Sequence, residues 1–462
     1  MHIEQMYTNC LAEAAYYIES EEEAIIIDPI RETTPYIEKA RQRGAKIKYV
    51  FETHFHADFV SGHIDLAAQT GAEIVFGPGA ITKYKVYNAK DGEEFTVGRI
   101  RIKILHTPGH TPESSCYLLY DEEGKEHAVF TGDTLFVGDV GRPDLLDGNM
   151  TKEALAGMMY ESLNNKLKKL HDNVIVYPAH GPGSACGKNI GKETWSTIGQ
   201  QKKTNYALQD MSKERFIELV TEGLSTPPPY FFQDAMINKN GYENIDTVMQ
   251  RNKKALTVDE LKKEVEQGAL ILDTRIPDNF EKGFIRGAVN IGLNGTYAVW
   301  AGTLIDINQS LVIVAEEGKE EESIARLARV GYEKVKGYLK GGMNAWKISG
   351  EKSDTIDSVD PEDFSKNHAA KQLIVDVRNP GEWSTGIIAG ANLISLSKLE
   401  AEVEALNKDH HYYIHCAGGY RSMIASSIFK RHGFNRITNI RGGISKIKET
   451  GFPMVAPSTV NS

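Results

Sequence analysis

The chain is 462 residues long, which is enough for about three domains that each bury a core of their own. Its composition, 41% hydrophobic and 25% charged, predicts a soluble globular protein, and no apolar run approaches the ~18 residues that cross a membrane. The net charge of −10 argues against nucleic acid or a membrane surface as the main partner. Because no basic segment followed by an apolar one stands at the N-terminus, we expect a cytoplasmic protein without a secretory signal.

From the start to about residue 200, short β-branched runs alternate with helical stretches, which predicts an α/β sandwich with helices covering the sheets. The predicted strands and helices lie at 24–28, 61–70, 99–105, 151–170 and 174–177. We assign residues 1–225 to this domain, because the proline run at 227–229 cannot continue a helix. Residues 226–254 are predicted to be a linker, and a long proline-rich surface loop within one domain is the alternative.

Beyond the linker the chain repeats itself at a spacing of about a hundred residues. Segments 272–275, 283–288 and 340–343 reappear at 375–378, 386–391 and 441–444. Such a spacing is too long for a solenoid. We therefore predict two copies of one small α/β domain with a mostly parallel sheet, at 255–352 and 356–462.

Residue types that bind metals recur where the predicted strands end. His54 and His56 lie two residues apart in an H-x-H-x-D run, so they would point to the same side of an extended segment. His110 follows in P-G-H, Asp133 in T-G-D and His180 in P-A-H-G. Because sites are commonly built on the loops at strand ends, the group predicts a metal site.

The run T-H-F-H-A-D-F at 53–59 resembles the T-H-x-H-x-D-H motif of metallo-β-lactamase-fold hydrolases, but Phe59 stands where the second metal site has a histidine. The first two hundred residues resemble the glyoxalase II-like branch of that fold and, within it, the persulfide dioxygenases, which hold one non-haem iron. This resemblance implies an αββα sandwich and one Fe(II) per chain, bound by His54, His110 and Asp133. Such a facial triad leaves three coordination positions open.

The other polar residues of these motifs would then surround the ligands. His56 and Asp58 would orient and tune them. His180 would serve a weak second metal, donate a hydrogen bond near the pocket or simply cap a strand end. Arg142 lies in a G-R-x-D segment like that of the family, where it would bind the charged portion of a thiol substrate or hold a loop through Asp144.

Cys416 follows an apolar strand and begins the run C-A-G-G-Y-R, after which a helix is predicted. Backbone amides and the positive end of that helix would stabilise a thiolate or a persulfide, and Gly418 and Gly419 let the amides turn inward. The loop, which ends at Arg421, resembles that of the rhodanese sulfurtransferases. The resemblance implies that Cys416 carries sulfane sulfur, and an inert buried cysteine is the alternative.

The four cysteines, Cys10, Cys116, Cys186 and Cys416, follow no C-x-x-C spacing, so neither a disulfide framework nor a zinc knuckle is predicted. Cys186 comes shortly after His180 and is expected near the metal pocket. It would be a sulfur acceptor or gate whose thiol pKa Lys188 lowers, or a loop cysteine without chemistry.

The earlier of the two repeated copies lacks a cysteine in its loop. Aligning the copies places Glu316 at the cysteine position, and an acidic run follows it. A carboxylate cannot carry sulfane sulfur, so this middle domain is predicted to be inactive, as a spacer or an assembly surface. On this basis we expect a homo-oligomer.

Over nearly its full length the chain thus resembles fusions of a persulfide dioxygenase with rhodanese domains. The resemblance implies oxidation of a small-thiol persulfide, of glutathione, coenzyme A or a similar thiol, by O2 to sulfite. Cys416 would then transfer sulfane sulfur to sulfite, giving thiosulfate. The alternatives are a thioester hydrolase of the glyoxalase II type with two metals, and a sulfur-carrier or redox-sensing protein that consumes no oxygen.

Overall fold

The computed structural model describes residues 1–145, 150–224, 226–367 and 372–456. The chain forms two compact units. The first unit comprises Met1–Val248 and Ala328–Tyr332, and the second unit comprises Met249–Leu327 and Glu333–Ser462. Among the described residues, no helix combines the length and the apolar character needed to cross a membrane.

Two six-stranded sheets form the centre of the first unit within the described residues. The first sheet contains, in spatial order, β1 (His2–Thr8), β2 (Glu13–Ser20), β3 (Glu23–Ile27), β4 (Lys46–Glu52), β5 (Glu73–Phe76) and β6 (Tyr87–Asn88). The second sheet contains β7 (Glu94–Val97), β8 (Ile100–His106), β9 (Ser115–Tyr120), β10 (Glu126–Gly132), β11 (Ile175–Pro178) and β12 (Ser196–Thr197), in the spatial order β12-β11-β10-β9-β8-β7. Its pairs are antiparallel except for the parallel pair of β10 and β11.

The strand sequences explain why the two sheets share one core. In β8, Ile100, Ile102 and Ile104 are fully buried while the residues between them are partly exposed, the alternation expected of a strand with one face in the core. These isoleucines belong to one apolar cluster with Phe51 of the first sheet and Phe130 of the second. The predicted sandwich is therefore confirmed.

Helices cover the sheets of the first unit. They are α1 (Thr34–Arg43), α2 (His63–Thr70), α3 (Lys152–Asn165), α4 (Ile198–Thr204), α5 (Lys213–Thr221), α6 (Tyr230–Asn240) and the first half of α7 (Ile245–Asn252), with 3₁₀ turns at Leu167–Lys169 and Tyr206–Leu208. The hydroxyl of Thr151 caps α3 by accepting a hydrogen bond from the Ala154 amide. Met159 and Leu163 of α3 then pack with Val129 in a second apolar cluster.

The segment at 226–254, predicted to be a linker, is mostly helical, and its part through Val248 belongs to the first unit. Pro229 stands at the start of α6, where a proline is tolerated because the first helical amides have no intrahelical partner. Tyr230 and Phe231 are buried. The boundary predicted at residue 225 is thus corrected to about 248.

Within its described residues, the second unit contains two similar parallel sheets, which confirms the two predicted copies. The middle copy (255–349) has β13 (Ala255–Leu256), β14 (Leu270–Asp273), β15 (Val289–Asn290), β16 (Leu311–Val314) and β17 (Val335–Leu339), with helices α8 (Val258–Glu266), α9 (Pro277–Phe280), α10 (Tyr297–Leu304), α11 (Glu320–Ala328) and α12 (Gly342–Ile348). The last copy (357–456) has β18 (Asp357–Val359), β19 (Leu373–Asp376), β20 (Asn392–Leu393), β21 (Tyr412–His415) and β22 (Ile437–Ile440), with α13 (Pro361–Asn367), α14 (Pro380–Trp383), α15 (Leu396–Glu402), a 3₁₀ turn at Val403–Ala405, α16 (Tyr420–Arg431) and α17 (Gly443–Glu449). The spatial orders are β13-β17-β16-β14-β15 and β18-β22-β21-β19-β20, so the strands correspond one to one.

Candidate metal centre and sulfur-carrying loop

Three side chains from the loops after β4, β8 and β10 converge in the first unit. Nε2 of His110 lies 3.5 Å from Oδ2 of Asp133, and Nε2 of His54 lies 3.9 Å from the same oxygen. One ligand atom from each residue lies within 4.8 Å of the others, and all three residues are buried. The structure thus brings together the residues predicted as ligands.

The atoms that face the centre of this triad fit a metal ion. Nε2 of His54 and both carboxylate oxygens of Asp133 are buried, and they have no hydrogen-bond partner in the part of the chain that the structure describes. Leaving such groups unpaired away from water costs free energy, which a cation at the point of convergence would offset. Two imidazoles and one carboxylate form a donor set suited to a divalent transition metal.

Hydrogen bonds on the far side of each ring orient both imidazoles. Nδ1 of His110 donates to the carbonyl of Arg142 at 2.8 Å. Nδ1 of His54 lies 3.0 Å from the hydroxyl of Thr53, which itself donates to Asp28 at 2.8 Å. This pattern places the ring protons on Nδ1 and leaves the Nε2 lone pairs for a metal. Burial, followed by the charges of neighbouring histidines, holds the pKa of His54 well below its usual value, so the ring stays neutral as a ligand must.

His56 faces a buried acidic pair instead of the triad. Its Nε2 lies 3.1 Å from Oδ1 of Asp28 and 3.5 Å from Oε2 of Glu52. Burial opposes protonation, but the charge of Asp28 and then that of Glu52 outweigh it and raise the pKa of His56 to about 10. The ring of Phe59 packs on that of His56, with centroids 4.4 Å apart. Phe59 therefore supports His56 and offers no donor to a second metal.

His180, Asp58 and His56 form a second candidate group beside the triad, with one ligand atom from each residue within 4.8 Å of the others. Nε2 of His180 lies 3.5 Å from Oδ2 of Asp58 and 3.5 Å from Oδ1 of Asp133. Nδ1 of His180 lies 3.2 Å from the carbonyl oxygen of Ala12. A ring aimed at Asp133 does more than cap a strand end. The geometry suits either a hydrogen bond near the pocket or a weak second metal that lacks the donor missing at Phe59.

Cys186 lies at the same centre, as the sequence predicted, but not as an activated thiol. Ligand atoms of Cys186, Asp133 and His180 lie within 4.8 Å of one another. The prediction that Lys188 lowers the thiol pKa is wrong, because its Nζ donates to two backbone carbonyls in and just after α5, at 2.6 and 2.7 Å. Burial, and then the nearby carboxylates, raise the pKa of Cys186 well above its usual value.

Arg142 has a supporting position in the structure. Its Nε and Nη2 donate to the two oxygens of Asp144 at 2.7 and 2.8 Å, and its Nη1 donates to the carbonyl of Ala185 at 3.3 Å. Its backbone amide donates to the carbonyl of Cys186 at 2.9 Å, while its own carbonyl accepts from His110. Of the two predicted roles, these contacts favour holding the loop over binding a substrate.

Asn238 in α6 is a supporting residue that no sequence motif marks. Its Nδ2 donates to the carbonyls of His56 and Phe59, both at 2.8 Å, and its Oδ1 accepts from the amide of Ser61 at 2.9 Å. These bonds hold the backbone of the metal motif from a position 182 residues further along the chain. Asn238 belongs to no short motif of metal-binding residues, so the sequence alone gives no signal of its role.

Cys416 lies between β21 and α16 in the last copy. Its Sγ accepts a hydrogen bond from the backbone amide of Gly419 at 3.1 Å. Gly419 has a φ of 101°, in the region that favours glycine, and this conformation turns its amide toward the sulfur. Only 1% of Cys416 is exposed, so its sulfur lies at the bottom of the loop.

Arg421 is held beside this loop by a forked ion pair. Its Nη1 and Nη2 donate to the two carboxylate oxygens of Glu382 at 2.6 and 2.7 Å. Burial alone would lower the pKa of Arg421, but the bonds to Glu382 and the neighbouring Cys416 raise it. Glu382 completes a capping box with Asn379 at the start of α14, so the fold fixes the ion pair. No sequence motif identified Glu382.

A cavity of about 260 Å³ opens over Cys416. It is lined by Thr296, Trp300, Cys416, Gly418, Tyr420 and Arg421. Gly418 and Arg421, which belong to the loop predicted to carry sulfur, are thus part of its wall, whereas Gly419 contributes its amide to Cys416. Thr296 and Trp300 come from the middle copy and were not predicted.

The middle copy has no thiol at the corresponding place. Val314 pairs with Asp273 in the middle copy, and His415 pairs with Asp376 in the last copy, so Val314 and His415 occupy equivalent positions in the two sheets. The residues that follow them, Ala315 and Cys416, therefore correspond to each other. The sequence alignment, which placed Glu316 at the cysteine position, is therefore corrected by one residue. The physical reason is a longer loop, because α11 begins five residues after Ala315 and α16 begins four residues after Cys416.

Comparison with known proteins agrees with this organisation. The chain matches the metallo-beta-lactamase superfamily over residues 8–180 and the rhodanese-like domain over residues 257–349 and 360–450. The mitochondrial persulfide dioxygenase ETHE1 of Mus musculus is 30% identical over 215 residues, which are 45% of this chain and 74% of that protein. The chain belongs to the metallo-β-lactamase superfamily. Its metallo-β-lactamase domain, with persulfide dioxygenases among its homologues, is fused to two rhodanese-like domains, as predicted.

Other relatives define how far the similarity extends. The crystal structure of a metallo-beta-lactamase from Staphylococcus aureus subsp. aureus COL covers 74% of this chain and 99% of its own, with 31% identity and a TM-score of 0.66. The probable hydroxyacylglutathione hydrolase glo2 of Schizosaccharomyces pombe is 35% identical over 158 residues, which are 34% of this chain. The chain spans 57% of the length of that hydrolase. The metallo-β-lactamase domain thus has both dioxygenase and hydrolase relatives.

Proposed function

We propose that the protein is a persulfide dioxygenase coupled to a thiosulfate-forming sulfurtransferase. In the first reaction, a small-thiol persulfide, dioxygen and water give the free thiol, sulfite and two protons. The outer sulfur of the persulfide is oxidised, dioxygen is reduced, and both of its atoms pass to that sulfur. The thiol is one of low molecular weight, such as glutathione or coenzyme A.

The convergence of His54, His110 and Asp133 in the first unit supports this proposal. Fe(II) held by His54, His110 and Asp133 would supply open positions at which a persulfide sulfur and dioxygen lie side by side. Hydrogen bonds hold the two imidazoles of the triad, since the carbonyl of Arg142 fixes His110 and the hydroxyl of Thr53 lies 3.0 Å from Nδ1 of His54. The ring of Phe59 packs on that of His56 and offers no donor to a metal. The deep burial of the triad keeps bulk water from the reacting atoms.

The second reaction takes place at Cys416. Its thiolate attacks the outer sulfur of a persulfide, the S–S bond breaks, and the carrier leaves as a thiol after taking a proton. A lone pair on sulfite then attacks the sulfur held on Cys416, which releases thiosulfate and restores the thiolate. The Gly419 amide and the Arg421 guanidinium are placed to stabilise the anionic sulfur in both steps.

A thioester hydrolase is the second candidate, because one observation favours it. His180 and Asp58 converge on Asp133, as a second metal site with a bridging carboxylate requires. That site lacks a donor at Phe59, and the hydrolase would also leave Cys416 without a role. The dioxygenase accounts for both features.

Metal analysis after anaerobic purification, combined with oxygen uptake, tests the proposal. We expect one iron per chain and oxygen consumption with several thiol persulfides. Two zinc ions per chain together with thioester hydrolysis would establish the hydrolase. Sulfur loading of Cys416 without oxygen uptake would establish a carrier or redox-sensing protein, the third interpretation of the sequence.

A further inference from the structure

The pocket over Cys416 is built from both copies in the second unit. Gly418 and Tyr420 line it from the last copy, and Thr296 and Trp300 line it from the middle copy. Thr296 precedes the first residue of α10 and Trp300 stands four positions later, so the two side chains lie on the same face of the helix. The copy without a cysteine therefore supplies one wall of the pocket.

Contacts with Tyr420 fix the position of this wall. The hydroxyl of Tyr420 donates to the carbonyl of Gly292 at 2.7 Å. A Cβ added at Gly295 would lie 2.4 Å from the Tyr420 ring, so the ring packs directly on that backbone. Arg326 donates to the carbonyls of Leu293 and Gly295 at 2.8 and 3.2 Å. The segment that leads into α10 is thus held from two sides.

A second contact joins the middle copy to the helix that begins at the sulfur-carrying loop. The amide of Asn290 in β15 donates to the hydroxyl of Ser427 in α16 at 3.0 Å. Both Asn290 and Ser427 are buried, so this bond is shielded from water. The distance between α10 and the loop is therefore set by packing and does not depend on a flexible connection.

The size of the cavity limits what reaches Cys416. Its volume of about 260 Å³ is below the ~300–1,000 Å³ of pockets that enclose drug-sized ligands. Because only 1% of Cys416 is exposed, a reagent must enter this cavity to reach the sulfur. Trp300 has the largest side chain in the lining and is only half-buried, so its truncation would widen the cavity more than that of any other lining residue.

We propose that Trp300 of the middle copy is a specificity-determining residue for sulfur transfer at Cys416. It admits sulfite and the slender sulfur-bearing end of an unbranched thiol persulfide, and it excludes aromatic or branched carriers. The inactive copy then has a binding role in addition to its structural one. This inference rests on Cys416 as the proposed sulfur carrier and is independent of the oxygen chemistry in the first unit.

Alkylation of Cys416 in the full-length protein tests the proposal without requiring turnover. Iodoacetamide serves as the slender reagent and N-phenylmaleimide as the bulky one, and mass spectrometry of the Cys416 peptide gives each rate. In Trp300→Ala we expect the ratio of the N-phenylmaleimide rate to the iodoacetamide rate to rise about tenfold. A tenfold change corresponds to about 1.4 kcal/mol, which is comparable to the cost of forcing extra groups into a packed site. Trp300→Phe, which keeps an aromatic ring, is expected to retain most of the wild-type preference for the slender reagent.

Two further variants sharpen the test. Ile348→Ala changes a side chain of the same copy that is 87% exposed, and it leaves the ratio unchanged. Gly418→Ala adds a methyl group that meets no atom within 4 Å, so it narrows the cavity without a clash and lowers the ratio.

An unchanged ratio in Trp300→Ala, or an equal rise in both rates, would overturn the proposal. An equal rise means that the second unit has loosened and that no size filter was removed. Failure of the proposed function would look different, since the wild-type protein would make no thiosulfate while the alkylation ratios still depended on Trp300.

Discussion

Replacing Asn238 by alanine removes three buried hydrogen bonds next to the candidate metal centre. Asn238 is 1% exposed, so in the alanine variant water cannot replace its hydrogen bonds to the carbonyls of His56 and Phe59 and to the amide of Ser61. Each bond contributes about 1 kcal/mol, and each partner left buried and unpaired costs about 1–3 kcal/mol. Allowing for partial relaxation, we expect the free energy of unfolding of the first unit to fall by about 3 kcal/mol.

Thermal unfolding of the full-length protein measures this loss. For a unit of this size, about 3 kcal/mol corresponds to a midpoint lowered by roughly 6–12 °C. The same bonds hold the segment that follows His54, so we also expect metal affinity to fall about tenfold, as for other residues that orient metal ligands. Metal content after dialysis against a graded chelator series measures that change.

Met236→Ala is the matched control for Asn238→Ala. Met236 lies on the same helix and is 49% exposed, so its truncation leaves both the midpoint and the metal content near those of the wild type. If Asn238→Ala behaved like this control, with a loss below about 1 kcal/mol, then α6 would not support the metal motif. Residues 226–248 would then act as the linker that the sequence predicted and would not support the site.

Three substitutions test separate parts of the two sites. Phe59→His supplies the missing donor beside His180, so metal content is expected to rise from one toward two per chain, and an unchanged content in elemental analysis would speak against the reason given for a single metal. Cys416→Ser is expected to keep oxygen uptake while the product shifts from thiosulfate to sulfite, and ion chromatography that found an unaltered product ratio would exclude Cys416 as the carrier. Glu382→Gln removes the charge that holds Arg421, and a loss of about 1.5 kcal/mol of charge-assisted bonding corresponds to a rate of sulfur transfer that is about tenfold lower, with oxygen uptake unaffected. A stopped-flow rate for the variant equal to that of the wild type would show that this ion pair does not matter for transfer.

That His54, His110 and Asp133 lie close together was predictable from the sequence, because each follows an apolar strand within a short motif of its own. The choice of these three as the ligands followed from the family resemblance. The strand ends of a sandwich lie at the same edge, so motifs distant in sequence meet there. The two copies were predictable for a similar reason, since their repeated segments fall at equivalent strand ends and turns. A motif of several residues within one short segment can be recognised from the sequence alone.

Single side chains that act over long distances were not predictable. Asn238 contacts His56, which lies 182 residues earlier in the chain, and no sequence pattern around either residue indicates this contact. Lys188 stands two residues from Cys186, yet its Nζ donates to carbonyls in and just after α5. Trp300 lines the Cys416 pocket only because the two copies pack together, which no property of α10 alone reveals.

Oxygen uptake by the iron-loaded protein, supplied with glutathione persulfide in an oxygen electrode, tests the central claim most directly. We expect one dioxygen to be consumed per persulfide oxidised, with sulfite and thiosulfate as products, and we expect uptake to be lost in His110→Ala. No oxygen consumption by protein that holds one iron per chain, or hydrolysis of a glutathione thioester in its place, would contradict the single-iron dioxygenase.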